Sequence, residues 1–295
     1  MQPKYPIYIP SKGRWESRYT VRALQRINVP FKVVVEPQEF DKYAAVIDDK
    51  HLLVLPHTDK GLVATRNWIW DHAAEHGHEK YWTIDDNMQT FYRRNRNRHV
   101  PVADGTMFCV AEDFTARYEN VPIAGFQYEM FVVAKHNVAK PFTLNTRVYS
   151  NMLIETEAKS ASGKPYRCEG EYNDDTDLCL RVLKDGNCTI LFNVFLVKKI
   201  MSMECKGGLT EKYAAEGRLK PSQELQAKHP DVTRIVKRWG RWHHFVDYRP
   251  FKNNKLIRKS AASHAAKTND YGMKLKAARK PRRVGRDGRK KVASK

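Results

Sequence analysis

A chain of 295 residues with 41% hydrophobic and 11% aromatic residues can bury a sizeable core, which excludes global disorder. No apolar run approaches the roughly 18 residues that cross a bilayer, and the opening Met1-Gln2-Pro3-Lys4-Tyr5-Pro6 lacks the shape of a signal peptide, so a soluble cytoplasmic protein with no membrane partner is expected. The formal net charge of +20 is uneven: from Lys252 onward sixteen Lys or Arg stand against Asp270 and Asp287, which leaves an ordinary body and a basic tail.

Taken in chain order, short apolar runs rich in β-branched and aromatic residues come first: Tyr5–Pro10, Phe31–Pro37, His51–Pro56 and Tyr81–Asp85. Helical patterns separate them over Ser17–Ile27 and Gly61–His76. Continuous apolar strands alternating with helices predict a parallel sheet covered on both faces. Further strands are expected over Ile123–Ala134, Arg147–Thr156 and Thr189–Lys198, and a short helix over Asp175–Lys184 with Asp174 or Asp175 as its cap. Pro221–Gly240 reads as a helix interrupted at Pro230. The expected architecture is one α/β domain over residues 1–250 with a mixed sheet, a helical C-terminal trailer and a flexible basic tail over 251–295. The tail is poor in large apolar groups, and its charge suits phosphate backbones bound by counterion release. The alternative is a solvated solubility tail. Five cysteines, an odd number without C-x-x-C spacing, argue for buried thiols over disulfides or a cysteine zinc site.

Ligands of open parallel sheets bind beyond the carboxyl ends of the strands. The polar residues there are Pro10-Ser11-Lys12-Gly13-Arg14, Glu36, His57 with Asp59, and Asp85-Asp86-Asn87. Adjacent carboxylates at a strand exit repel each other unless strong donors or a cation neutralise them. A hard divalent ion such as Mn²⁺ or Mg²⁺ does so while bridging a diphosphate. A turn or cap beginning at Asp85 is the simpler alternative. Asp174-Asp175-Thr176-Asp177 holds more acids than helix capping needs, and such crowding raises the pKa of some of them. Lys12, Arg14, Arg66 and Asn67 suit a nucleotide and its phosphates, and Glu36 suits the base or ribose. Arg93, Arg94, Arg96 and Arg98 alternate with asparagines after Phe91-Tyr92, a pattern that could hold a DNA backbone while an aromatic ring stacks on a displaced base. Arg238-Trp239-Gly240-Arg241-Trp242-His243-His244-Phe245 also mixes rings and cations, as a stacking surface or as a lid over the pocket.

Together Pro10-Ser11-Lys12-Gly13-Arg14, Ala64-Thr65-Arg66-Asn67, Asp85-Asp86-Asn87 and Asp174-Asp175-Thr176-Asp177-Leu178-Cys179-Leu180-Arg181 resemble the GT-A class of glycosyltransferases over about residues 5 to 200. More narrowly, Tyr8-Ile9-Pro10-Ser11-Lys12-Gly13-Arg14, Ile84-Asp85-Asp86-Asn87 and Lys206-Gly207-Gly208-Leu209 resemble the TET-associated glycosyltransferases of bacteriophages. That resemblance implies a GT-A-like nucleotide-sugar-binding fold with a mixed, mostly parallel central sheet flanked by helices. It implies a UDP-sugar or GDP-sugar donor and transfer to 5-hydroxymethylcytosine in DNA, within the infected host's cytoplasm if the chain is phage-encoded. It also implies Asp175 as general base beside Asp174 and Asp177, with Asp85 at the nucleotide and Asp86 and Asn87 at the metal. Asn87 replaces the usual third carboxylate, so His243 or His244 is a candidate to complete the coordination. A metal-dependent nuclease would use similar acids and basic clamps but leaves Ala64-Thr65-Arg66-Asn67 without a role. A non-catalytic nucleic-acid-binding protein, or a glycosyltransferase for protein or polysaccharide, stays open; the basic tail favours DNA.

Overall fold

The computed structural model describes residues 1–132, 140–200, 217 and 219–259. The first four apolar runs are strands β1 (Ile7–Pro10), β2 (Lys32–Val35), β3 (Leu52–Val54) and β4 (Lys80–Ile84). Between them lie helices α1 (Tyr19–Arg26), α2 (Phe40–Ala44) and α3 (Gly61–Glu75). β1 pairs in parallel with both β2 and β4, and β2 pairs in parallel with β3. The chain thus builds outward from β1 through β2 to β3, then returns to lay β4 on the other flank of β1. That reversal opens a crevice between β1 and β4.

The sheet continues with β5 (Met88–Asn95), β6 (Arg98–Pro101), β7 (Ile123–Tyr128), β8 (Phe142–Leu144), β9 (Asn151–Glu155) and β10 (Thr189–Lys199), joined by antiparallel pairings except for β7 and β10, which pair in parallel. Its order is β3-β2-β1-β4-β9-β7-β10-β5-β6, with β8 on β10. Two further helices, α4 (Thr106–Ala116) and α5 (Asp174–Lys184), complete the layers. The period of two along each strand sends side chains to alternate faces. Ile7, Ile9, Val33, Val35 and Trp82 pack on one face with Val21 and Leu24 of α1 and Phe108 of α4. Tyr8, Val34 and Tyr81 pack on the other with Ile69 and Trp70 of α3 and Leu178 and Val182 of α5. The expected mixed α/β architecture is present.

Three expectations are corrected. The run expected as a strand over Ile123–Ala134 ends at Tyr128 and gives way to a short 3₁₀ turn, Glu129–Phe131; residues 133–134 lie outside the described residues. Beyond Pro230 the chain is not helical. Helix α6 (Leu219–Lys228) stops before that proline, and a separate hairpin follows, β11 (Thr233–Arg238) paired with β12 (Arg241–Val246). The alternation of Thr233, Ile235 and the Trp239-Gly240 turn favours a ribbon over a helix. Residues 251–259, expected within the flexible tail, are tied to the body: Asn145 donates to the carbonyls of Phe251 and Asn254, Asn254 donates to those of Leu183 and Asn187, and Asn120 donates to that of Lys255. The rest of the tail and Lys206-Gly207-Gly208-Leu209 lie outside the described residues. Cys109, Cys168, Cys179 and Cys188 are buried free thiols, as expected, and Cys205 lies outside the described residues. Among the described residues no helix is long and apolar enough to cross a membrane.

Candidate active site

A cleft of ≈ 540 Å³ opens where β1, β2 and β4 end. Its first wall is the loop after β1. Gly13 adopts a φ of 68°, a left-handed conformation that glycine enters without steric cost. Its N–H thereby reaches both oxygens of Glu39, at 3.0 and 2.9 Å. Tyr43 of α2, buried, fixes the same loop: its hydroxyl accepts from the Arg14 N–H at 3.1 Å and shares a 2.7 Å bond with the Ser11 hydroxyl. Lys12 reaches forward to Glu36 at 2.7 Å and Asp59 at 2.5 Å.

The acidic turn after β4 is held by its backbone. Thr20 at the start of α1 donates to the Asp85 carbonyl at 2.5 Å and accepts from the Met88 N–H at 2.9 Å. The Asp85 N–H donates to the Ser150 carbonyl at 2.8 Å. Asn87 donates through its side chain to the Ile200 carbonyl at 2.9 Å, and the Ile200 N–H returns a bond to the Asn87 carbonyl. Both carboxylates are then neutralised by protein groups. Asp85 pairs with Arg66 and with Lys199, each at 3.0 Å. Burial alone would raise the Asp85 carboxyl, but Lys199 and Arg66 outweigh it and lower it to about 2. Asp86 pairs with Arg14 and accepts from Ser11 at 2.8 Å. Burial, together with the neighbouring Asp85, still raises Asp86 above the ordinary carboxylate value.

Arg66 joins the two acid groups that the sequence separates. One guanidinium nitrogen meets Asp85 and another meets Asp174 at 2.5 Å, with Arg66 only 3% exposed. Asp174 and Asp175 open α5, where the helix dipole favours negative charge. The cap itself is Asn173, in a left-handed conformation, and not either aspartate. Asp175 is half-buried at the cleft, bonded to the Thr176 N–H at 2.6 Å. Burial, then the charges of Asp174 and Asp85, raise its carboxyl to about 6 against the pull of Arg66. A carboxylate so raised is a competent proton acceptor near neutral pH.

Of the residues expected at the nucleotide, Pro10, Ser11, Lys12, Arg14, Glu36, Arg66 and Asp85 line this cleft, as do Asp86, Asn87, Asp174 and Asp175. Others lie elsewhere. Asn67 spends its carboxamide on Cys168, donating to its carbonyl at 3.0 Å and accepting from its N–H at 2.9 Å. Asp177 is buried between α5 and α6, taking bonds from His229 and Arg181 at 3.0 Å. His243 sits on β12 and does not line the cleft. Phe91 is 2% exposed and packs on Phe108, so it cannot stack on a displaced base. Arg93, Arg94, Arg96 and Arg98 form the β5–β6 hairpin, whose tip lies roughly 25 Å along the strand from the acidic turn at ~3.4 Å per residue. Arg93, Arg96 and Arg98 are exposed, while Arg94 bonds Asn97 across the turn at 2.7 Å.

Lys199 is the site residue that sequence reasoning missed. It ends β10, lines the cleft, and bonds Ser150 at 2.6 Å as well as Asp85. Burial would lower its ammonium, but Asp85 and Tyr128 raise it further. A lone lysine closing a strand carries no motif, so only its position reveals it. The lysine also bears on the expected Mn²⁺ or Mg²⁺. All four carboxylate oxygens of the acidic turn already accept from Arg66, Lys199, Arg14 or Ser11. Asn87 Oδ1, buried without a hydrogen-bond partner, offers one neutral oxygen. Among the described residues no group of three or more His, Cys, Asp or Glu is placed to hold a metal ion. A hard cation seeks six or more oxygens; these residues do not fit it unless Lys199 or Arg14 withdraws.

The profile of the TET-associated glycosyltransferases matches residues 5–208. No curated protein matches the chain. Among solved structures, residues 1–349 of S. aureus TarS are similar at 10% identity and a TM-score of 0.40, covering 87% of this chain and 99% of that one. A UDP-glucose pyrophosphorylase complexed with UDP-glucose is similar at 12% identity and a TM-score of 0.39, covering 72% of this chain and 97% of that one.

Proposed function

The chain belongs to the TET-associated glycosyltransferase family, and on that premise we propose that it moves a sugar from a UDP- or GDP-sugar to the hydroxymethyl group of 5-hydroxymethylcytosine in DNA. The observation that supports a transferase most is the junction at Arg66, which draws Asp85 and Asp174 to one cleft with Asp175 beside them. DNA as acceptor is supported by charge, with twelve Lys or Arg against two acids over residues 260–295. A phage-encoded member would act in the cytoplasm of the infected cell.

In this reading the acceptor hydroxyl gives its proton to Asp175 as its oxygen bonds the anomeric carbon. The bond from that carbon to the diphosphate oxygen breaks, and the nucleoside diphosphate leaves with the electron pair. Charge developing on the diphosphate meets Lys12 and Lys199, cations fixed before the donor arrives. Arg66 keeps Asp85 and Asp174 from repelling the incoming phosphates. Asp177 acts at a distance, by pinning α5 to α6.

Hydroxymethylated duplex DNA incubated with a panel of UDP- and GDP-sugars should gain the mass of one sugar on the modified base. Failure of the whole panel with folded protein contradicts the acceptor. Because protein cations already serve the acidic turn, transfer is expected to persist in EDTA, and Lys199→Met to lower kcat about a hundredfold. A rate abolished by EDTA and restored by Mn²⁺ would assign the charge neutralisation to the ion instead. Removing residues 260–295 should weaken DNA binding and flatten its dependence on salt. An unchanged salt slope rules out a phosphate-binding role for the tail.

A further inference from the structure

The β11–β12 hairpin carries features that neither the core nor the cleft explains. Trp239 is 86% exposed at its tip, so its ring contributes almost nothing to the interior. Its φ is 49° and that of Gly240 is 72°, the conformation of a two-residue type I′ turn. Such turns favour Asn-Gly, and a bulky residue at positive φ is strained. A tryptophan there is unfavourable to the fold on both counts, and its ring faces outward for a partner.

The surroundings define that partner. From Thr233 to Val246 the hairpin holds Arg234, Lys237, Arg238 and Arg241 and no acid. The register pairs Arg234 with Phe245, Val236 with His243 and Arg238 with Arg241, which places three arginines on one face. Arg234 and Arg238 both stand over the Phe245 ring, at 4.5 and 5.7 Å. The base of the hairpin is rooted in the protein: Val246 packs with Leu180 and Leu183 of α5, the helix that opens with Asp174 and Asp175. On the inner face, burial together with Arg147 and His243 lowers His244 to about 4, and Arg147 in turn feels the charge of Asp175. The ribbon is therefore rooted on the helix that carries the candidate base and ends in an exposed indole. A two-stranded ribbon fits the major groove, where the 5-substituent of cytosine projects.

Resting on the DNA reading above, we infer that this hairpin is a duplex-opening wedge. Trp239 enters the base stack beside the modified cytosine, while Arg234, Arg238 and Arg241 hold the flanking phosphates. The modified base is thereby loosened toward Asp175.

The test compares sugar transfer to a hydroxymethylated duplex and to the same oligonucleotide single-stranded, for the wild type and Trp239→Asn. Asparagine suits the turn, so the variant should melt no lower than the wild type. Its kcat/KM on the duplex should fall about 30-fold, the scale of one lost stacking contact, while its rate on the single strand stays near that of the wild type. In a duplex bearing 2-aminopurine beside the modified cytosine, the wild type should raise fluorescence and the variant should not. Equal losses on both substrates, or none on the duplex, overturn the wedge alone. A wild type that glycosylates neither form of DNA overturns the acceptor reading and the wedge with it.

Discussion

Replacing Asp175 by asparagine should lower the rate of sugar transfer about a thousandfold, the scale of a lost general base. The amide keeps the shape and can accept a hydrogen bond but cannot take the acceptor's proton. Wild-type kcat/KM should fall on an acid limb near pH 6, where the raised Asp175 becomes protonated. Stability should move the other way. A carboxyl raised in the folded state from 3.8 to about 6 contributes stability that is present below 3.8 and is lost as the pH rises through 6. At neutral pH the wild type therefore holds a charge it would fold better without. Asp175→Asn should melt above the wild type at pH 7.5, and the difference should narrow as the pH falls toward 4. Melting curves and a pH–rate profile check both statements. A variant that loses activity by unfolding, or one that keeps its rate, contradicts the role.

Arg66→Met should be the most destabilising single change in the cleft. Arg66 is buried, and its guanidinium spans Asp85 and Asp174. Removing one partner of a buried charge network leaves the other uncompensated, which costs about 3–5 kcal/mol. For a chain of this size the melting temperature should drop on the order of 10 °C. Lysine should not rescue it, because a single ammonium cannot reproduce a fork bonded to two separate carboxylates. Adding Asp174→Asn to Arg66→Met should recover part of the loss, since it removes one of the stranded charges. Denaturant unfolding of the two single variants and the double variant measures that coupling. Additive losses would mean that Arg66 does not join the two acids in solution.

The parts of the fold that could be read ahead were those carried by local pattern. β1, β2, β3 and β4 are uninterrupted apolar runs, and the polar residues just beyond β1, β2 and β4 do line one cleft. The acids at 85–86 and 174–175 announced themselves by crowding. What escaped depended on partners distant in the chain. Lys199 meets Asp85 across 114 positions, and no spacing rule connects them. Asn67 suits a nucleotide by residue type, yet its carboxamide satisfies the backbone of Cys168, 101 residues on. Phe91 sits in a basic, exposed-looking run, but its neighbours in space are Phe108 and the core. The hairpin after Pro230 was hidden for another reason: its charged residues obscured an alternation that the Trp239-Gly240 turn makes plain.

A structure of the protein with its bound sugar nucleotide tests most directly whether the separated acids serve one donor. The diphosphate should lie within about 3–4 Å of both Lys12 and Lys199, with the anomeric carbon open to attack from the side of Asp175. A donor bound outside the β1–β4 crevice, or one whose sugar points away from Asp175, would contradict it.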